Sequence, residues 1–203
     1  METSPLHDLR HVSYNLPISE KLIYEVDPKF EPEMINAMLA SVLKEHPHPA
    51  KVNGVDGVKE VNPEIRKSKV SFLCWDHWIA GILHNLFISA NNDYFHYDLD
   101  HFDTGIQTTF YTEGDYYTWH SDGMNSSDLV NSVYERKLSM SFMLTDDYKG
   151  GELELELKPN KMVRKPKAGT AVIFPSWLAH RVKPVKEGDR ISLVAWMNGP
   201  KFK

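Results

Sequence analysis

Cysteine is nearly absent from this chain: Cys74 is the single one among 203 residues. No internal disulfide is available, so the fold must hold by packing, and the lone thiol fits a reducing compartment such as the cytoplasm. Cys74 itself reads as a small buried hydrophobe. Long hydrophobic runs are missing as well. The longest apolar stretch, WIAGILHNLFISA at 78–90, is broken by His84 and Asn85, and residues 1–20 lack the apolar run of a secretory signal. A soluble protein with no membrane partner is expected. Nor is there an excess of positive charge: 23 Lys and Arg against 28 Asp and Glu leave a formal charge of -5, which gives no global pull toward nucleic acid or anionic lipid. The short basic run IRKSK at 65–69 reads as solvated surface. No repeat, low-complexity block or long Pro/Gly/Ser linker divides the chain, which is long enough to bury roughly 70% of its unfolded surface, so one domain over 1–203 is expected.

The hydrophobic period changes near residue 105. In EPEMINAMLASVLKE, 31–45, Met34, Ile35, Met38, Leu39, Val42 and Leu43 form a helical stripe, with Pro32 suited to the first turn. In DHWIAGILHNLFISA, 76–90, Trp78, Ile79, Ile82, Leu83, Leu86 and Phe87 repeat it, with Asp76 as N-cap and Asn91-Asn92 as the stop. The first part, 1–105, is thus expected to be a mainly helical buttress. From 106 onward the period is two and turn signals come every few residues. ELELEL at 152–157 is the clearest strand, with Leu153, Leu155 and Leu157 on one face, Gly150-Gly151 before it and Pro159-Asn160 after. Further strands are expected at 106–112, 116–120, 137–145, 162–165, 170–174, 179–184 and 190–197. About eight strands against two helices give a mainly β fold with α: a double-stranded β-helix, the jelly-roll or cupin-like core, over 106–203.

His-x-Asp occurs three times between 94 and 123: His96 with Asp98, His101 with Asp103, and His120 with Asp122. The tripeptide is weak evidence alone, because ten histidines and many aspartates produce it by chance. In a strand, residues two apart share a face and could offer an imidazole and a carboxylate to one ion. His96 and Asp98 alternate with Phe95, Tyr97 and Leu99, as on the wet side of a half-buried strand or a helix exit. His101 and Asp103 run into Thr104-Gly105 and read as loop. His120 and Asp122 instead close a strand-turn-strand segment before a polar loop. Far downstream, His180 follows a strand and a tight Pro-Ser turn, and Arg190 opens the last strand. Two histidines and one carboxylate suit mononuclear non-haem Fe(II), leaving positions for a cosubstrate and dioxygen. On the last strand Arg190, Ser192, Val194 and Trp196 share a face, so a guanidinium and a hydroxyl stand side by side as a receptor for a remote carboxylate.

FYTEGDYYTWHSD at 110–122, DDYKGGELEL at 146–155, IFPSWLAHRVKPVKEGDRISLVAW at 173–196 and RKS at 66–68 together resemble the Fe(II)- and 2-oxoglutarate-dependent oxygenases, in the prolyl-4-hydroxylase-like branch with the PKHD-type hydroxylases. The resemblance spans about 64–197. It implies that His120, Asp122 and His180 are iron ligands, that Arg190 anchors 2-oxoglutarate, that Tyr111 contacts the cosubstrate and that Trp196 lines the pocket. One departure stands out: where some members carry a second tyrosine for the cosubstrate carboxylate, this chain has Met143, so Arg190 needs another helper, Ser192 or Tyr111. The implied reaction hydroxylates a peptide or protein residue, proline first, using O2 and giving succinate and CO2, with ascorbate as reductant. A carboxylate at Asp122 occupies the position a halide would need, which favours hydroxylation over halogenation.

Bland readings stand beside these. His120 alone could be a core histidine, Arg190 alone a hairpin residue, and Tyr117 ordinary barrel packing; Met140 and Met143 are filler. HPH at 46–48 and HDLRH at 7–11 read as surface histidines. The segments 51–63 and 123–136 are polar and long enough to form a lid that sets specificity. Rival functions are an oxygenase acting on a small molecule or on nucleic acid, the latter disfavoured by the acidic balance, and a non-catalytic 2-oxoglutarate-sensing barrel. Nucleic acid is not expected as a partner, and the oligomeric state is monomer or homodimer.

Overall fold

The computed structural model describes residues 20–53, 58–103, 105–123 and 133–201. Eight strands make the core: β1 Gly105–Tyr111, β2 Tyr116–His120, β3 Tyr134–Met143, β4 Leu153–Leu157, β5 Asn160–Arg164, β6 Ala171–Pro175, β7 Ala179–Val182 and β8 Arg190–Pro200. They form two antiparallel sheets. The larger runs β6-β3-β8-β1, extended beside β6 by Tyr24–Val26 and beside β1 by Lys69–Cys74 and then His48–Pro49. The smaller runs β5-β4-β7-β2 and ends on Arg66–Lys67. This is the jelly roll expected from the period-two half of the sequence.

Alternation along β3 and β8 gives the large sheet two different faces. Leu138, Met140 and Phe142 on β3, with Leu193, Ala195 and Met197 on β8, are buried against the helices α1, Pro32–Val42, and α2, Trp78–Ala90. Ile35, Met38 and Val42 from α1 and Ile79, Leu83 and Phe87 from α2 complete that layer. The opposite face carries Ser139, Ser141, Arg190, Ser192 and Trp196 and looks toward the small sheet. Apolar burial therefore holds the sheet from behind and leaves its polar front for chemistry.

Several local expectations change. Asp76 is not the cap of α2; His77 is, because its ring Nδ1 stands within reach of the Ile79 N–H and accepts from it at 3.3 Å. The Asn pair does not stop the helix, since the chain continues as a π-helical turn over Asn91–Phe95. It ends at His96, whose φ of 55° is left-handed, while Asn91 bonds back to Tyr97 through both side-chain atoms. The 1–105 part is less helical than expected: Lys69–Cys74 is a strand paired with β1 over six residues, its short alternating pattern masked by the lysines and serines around it. Cys74 is exposed rather than buried, because the alternation of that strand turns it away from Leu73. No helix among the described residues is long and apolar enough to cross a membrane.

Phe142 is fully buried at the centre of the sheet-helix layer, with its ring 6.3 Å from that of Phe30. Phe142→Ala is expected to cost about 3–5 kcal/mol, read as a lower urea midpoint with an unchanged slope.

Candidate metal and cosubstrate site

β2 and β7 are neighbours in the small sheet, and their register sets His120 directly opposite His180. The two imidazoles face each other with centroids 4.1 Å apart. Asp122, two residues beyond His120, is held where the chain leaves β2: its backbone N–H and that of Gly123 both donate to the Ser176 carbonyl at 2.9 Å. The carboxylate lies 4.0 Å from His120 Nε2 and 3.5 Å from His180 Nε2. One ligand atom from each residue lies within 4.8 Å of the others, so the three could hold a single ion.

The atoms around the triad prepare it for a cation. Each imidazole donates its Nδ1–H to a carbonyl two residues back, Thr118 for His120 and Leu178 for His180, both at 2.9 Å. A carbonyl can only accept, so each Nε2 keeps its lone pair toward the centre. Burial, with the neighbouring His180 adding to it, pushes the pKa of His120 down to about 3, which leaves the ring neutral. Burial would raise the Asp122 carboxyl, but the two imidazoles outweigh it and hold the group below its ordinary range, charged. Ser139 donates to Asp122 Oδ2 at 2.8 Å and is itself linked to Ser176 at 2.9 Å. The indole N–H of Trp196 lies near enough to help lower Asp122 without completing a hydrogen bond.

Across the same cavity of about 390 Å³, Arg190 is 2% exposed. It stands opposite Tyr111 in the β8–β1 register, with its guanidinium 5.4 Å from that ring, and donates from Nη1 to Ser192 Oγ at 3.0 Å. Among the described residues its Nε has no partner. A buried guanidinium with an unmet donor and no carboxylate fits an anionic ligand. All six expected site residues, His120, Asp122, His180, Arg190, Tyr111 and Ser192, line this one cavity. Met143 is fully buried opposite Ser192 and offers the guanidinium nothing polar.

Residues that sequence reasoning passed over also gather here. Tyr148 lies beside Arg190, its phenol pushed up by burial despite that cation. A Cβ on Gly151, whose φ is 63°, would sit 3.1 Å from Arg190 Cδ and 3.2 Å from Tyr148 Cε2, so glycine permits the close approach. Tyr117 is not plain packing: its ring stacks on His120 at 3.5 Å and 16°. Arg66 is not surface; it is 7% exposed, with its guanidinium 4.6 Å above Tyr117. Arg136 stacks on Trp196 at 3.9 Å and pairs with Asp103 at 2.9 Å. The signal for Arg66 and Tyr117 was period-two alternation in two strands that only the sheet makes adjacent.

The other His-x-Asp pairs do not converge. His96 and Asp98 are exposed past the helix exit. His101 lies in a two-residue strand beside β8 rather than in a loop, and Asp103 turns to Arg136. Of the expected lid, Val52–Asn53 pairs with Lys59–Glu60, and 54–57 and 124–132 lie outside the described residues, as does HDLRH.

A jelly roll with a His-Asp-His cluster facing a buried arginine defines the class, and the comparisons agree. Residues 106–198 match the 2OG-Fe(II) oxygenase superfamily model. The match covers the barrel strands of this chain. The chain is 34% identical over 94 residues to a PKHD-type hydroxylase of Alteromonas mediterranea, covering 43% of this chain and 40% of that protein. It is 37% identical over 81 residues to one from Colwellia psychrerythraea, covering 38% and 36%. The match thus spans about two fifths of the length of these relatives. Among solved structures, a Pseudomonas putida prolyl-4-hydroxylase superposes with a TM-score of 0.69 at 19% identity, covering 91% of this chain and 96% of that one. A Trichoplax adhaerens prolyl hydroxylase, in complex with a hypoxia inducible factor oxygen degradation domain peptide fragment, superposes with a TM-score of 0.69 at 17% identity, covering 89% and 84%. At such identities the superpositions speak for the fold.

The depressed pKa of His120 has a definite sign. The unfolded ring takes up a proton below about pH 6.5 and the folded one only near 3, so the unfolded chain binds more protons in between. The metal-free protein should be less stable at pH 5 than at pH 7.5 by urea midpoint, and His120→Asn should shrink that difference.

Proposed function

We propose that this protein is an Fe(II)- and 2-oxoglutarate-dependent dioxygenase that hydroxylates a peptide or protein residue, with proline as the first choice. The single observation that carries the reading is the sharing of one cavity by the facing imidazoles, Asp122 and the buried Arg190. His120, Asp122 and His180 hold the iron. Iron(II) with bound 2-oxoglutarate supplies the oxidising power: dioxygen and the cosubstrate are consumed, succinate and CO2 leave, and a substrate C–H becomes C–OH.

The chain's own side chains do the placing. The two Nδ1–H bonds fix the tautomers, so neither imidazole has to lose a proton before it ligates. Ser139 fixes the Asp122 rotamer and leaves Oδ1 free of its hydroxyl. Arg190 pairs with the remote carboxylate of 2-oxoglutarate, backed by Ser192, with Tyr111 closing the wall opposite. Tyr148 packs against the outer side of that arginine and takes up the place that Met143 cannot serve. Trp196, Tyr117 and Arg136 stand at the metal end, where a substrate side chain enters. The PKHD-type hydroxylase relatives and the fold shared with prolyl hydroxylases support proline as the substrate residue. The cytoplasm, with ascorbate as reductant, suits such an iron enzyme.

Two measurements test this. Incubation with Fe(II), ascorbate, O2 and 2-oxoglutarate should release succinate faster when a proline-containing peptide is present, with a 16 Da gain on the peptide by mass spectrometry. Succinate without any dependence on peptide, and no mass gain, would reject the peptide substrate; no 2-oxoglutarate binding at all would reject the oxygenase. Arg190→Gln should weaken 2-oxoglutarate binding about ten- to a hundredfold by calorimetry on the Mn(II) form, while Mn(II) affinity holds. His180→Ala should abolish Mn(II) binding itself.

A further inference from the structure

The cavity is strongly basic for a protein of net charge -5. Among the described residues five cationic side chains line it, Lys51, Lys59, Arg66, Arg136 and Arg190, against one carboxylate, that of Asp122. In the function proposed above the metal takes Asp122 and the cosubstrate takes Arg190, while Asp103 answers Arg136. Arg66 has no such counterpart. Its Nε donates to Ser68 Oγ at 2.9 Å and its face rests on Tyr117, yet no carboxylate pairs with it among the described residues. Strand alternation explains the imbalance. Lys67, the next residue, points to the other side of the strand and pairs there with Asp115 at 3.4 Å. Lys51 and Lys59 stand exposed on the segment above, where Glu60 alternates away from the cavity that Lys59 lines.

A buried cation with only a hydroxyl and an aromatic ring for company is costly unless an anion joins it. Its place decides what that anion is. Arg66 lies over Tyr117, and Tyr117 stacks on the ring of His120, so a group that reaches the guanidinium is separated from the metal-binding histidine by one aromatic ring. We infer that the substrate is an acidic peptide, with an aspartate or glutamate beside the hydroxylated residue that pairs with Arg66 while Lys51 and Lys59 attract the flanking chain. A nucleic acid fits less well. Phosphate backbones are met by long basic stripes, whereas this chain carries a net charge of -5, which gives a polyanion no global attraction.

This inference rests on the oxygenase reading, and the test separates the two. Labelled proline-containing peptides of one length, acidic, neutral and basic, are titrated by fluorescence anisotropy into the full chain loaded with Mn(II) and 2-oxoglutarate, whose own binding is measured in parallel. The acidic peptide should bind about tenfold tighter than the neutral one at low salt, with the gap narrowing at high salt. Lys51→Glu with Lys59→Glu should narrow it in the same way, and Arg66→Gln should remove the remainder that salt does not reach. Equal affinity for all three peptides, a preference for the basic one, or no peptide binding by protein that holds Mn(II) and 2-oxoglutarate overturns the inference and leaves the oxygenase standing. Tighter binding of a single-stranded oligonucleotide than of the acidic peptide also overturns it. Failure to bind 2-oxoglutarate sinks the proposed function instead.

Discussion

The site depends on one cross-strand register. β7 pairs with β2 so that His180 stands opposite His120, and only this pairing lets two residues sixty positions apart aim their rings at one point. A slip of one residue would turn every side chain of the strand to the other face and put the imidazole outside the barrel. Register is protected by burial on the β4 side of β7. Leu155 of β4 pairs with His180 and is fully buried with Met162, Phe174 and Leu178, so a slip would expose that cluster.

A second register does the same for the cosubstrate end. β8 lies between β3 and β1 in the large sheet, with Arg190 opposite Tyr111 and Ser192 between Met143 and Thr109. The front of this sheet sets hydroxyls, an arginine and an indole among Met143, Val194, Val172 and Phe174. The backing is the apolar layer of Phe142, Leu193, Ala195 and the two helices. The helices thus back the sheet from the side opposite the cavity.

Polar groups within the barrel are matched with care, and the few mismatches are informative. Asp122 has Ser139 and two imidazoles; Arg136 has Asp103 and Trp196; Glu154 has Arg181 on the outer face at 2.6 Å. Against that background, and among the described residues, the partnerless Nε of Arg190 and the missing carboxylate for Arg66 are two places open to charge from elsewhere. One lies at the end of the cavity proposed for the cosubstrate and the other beside Tyr117.

Much of this was readable before any coordinates. Period-two alternation in ELELEL and in RISLVAW located strands, and helical stripes located α1 and α2, because burial on one face leaves a local pattern in the chain. The triad and Arg190 were legible because their spacing within each strand, combined with four motifs, matched one chemistry. What the sequence could not supply were contacts between strands. Arg66 looked like surface and Tyr117 like filler because the two share a stack only when Arg66–Lys67 pairs with β2; Tyr148 meets Arg190 only where Gly151 lets the chain close in. Side-chain direction along a strand is a local property, fixed by alternation, whereas which strand lies alongside is settled by the whole core at once, and the partners of a buried charge follow from the second.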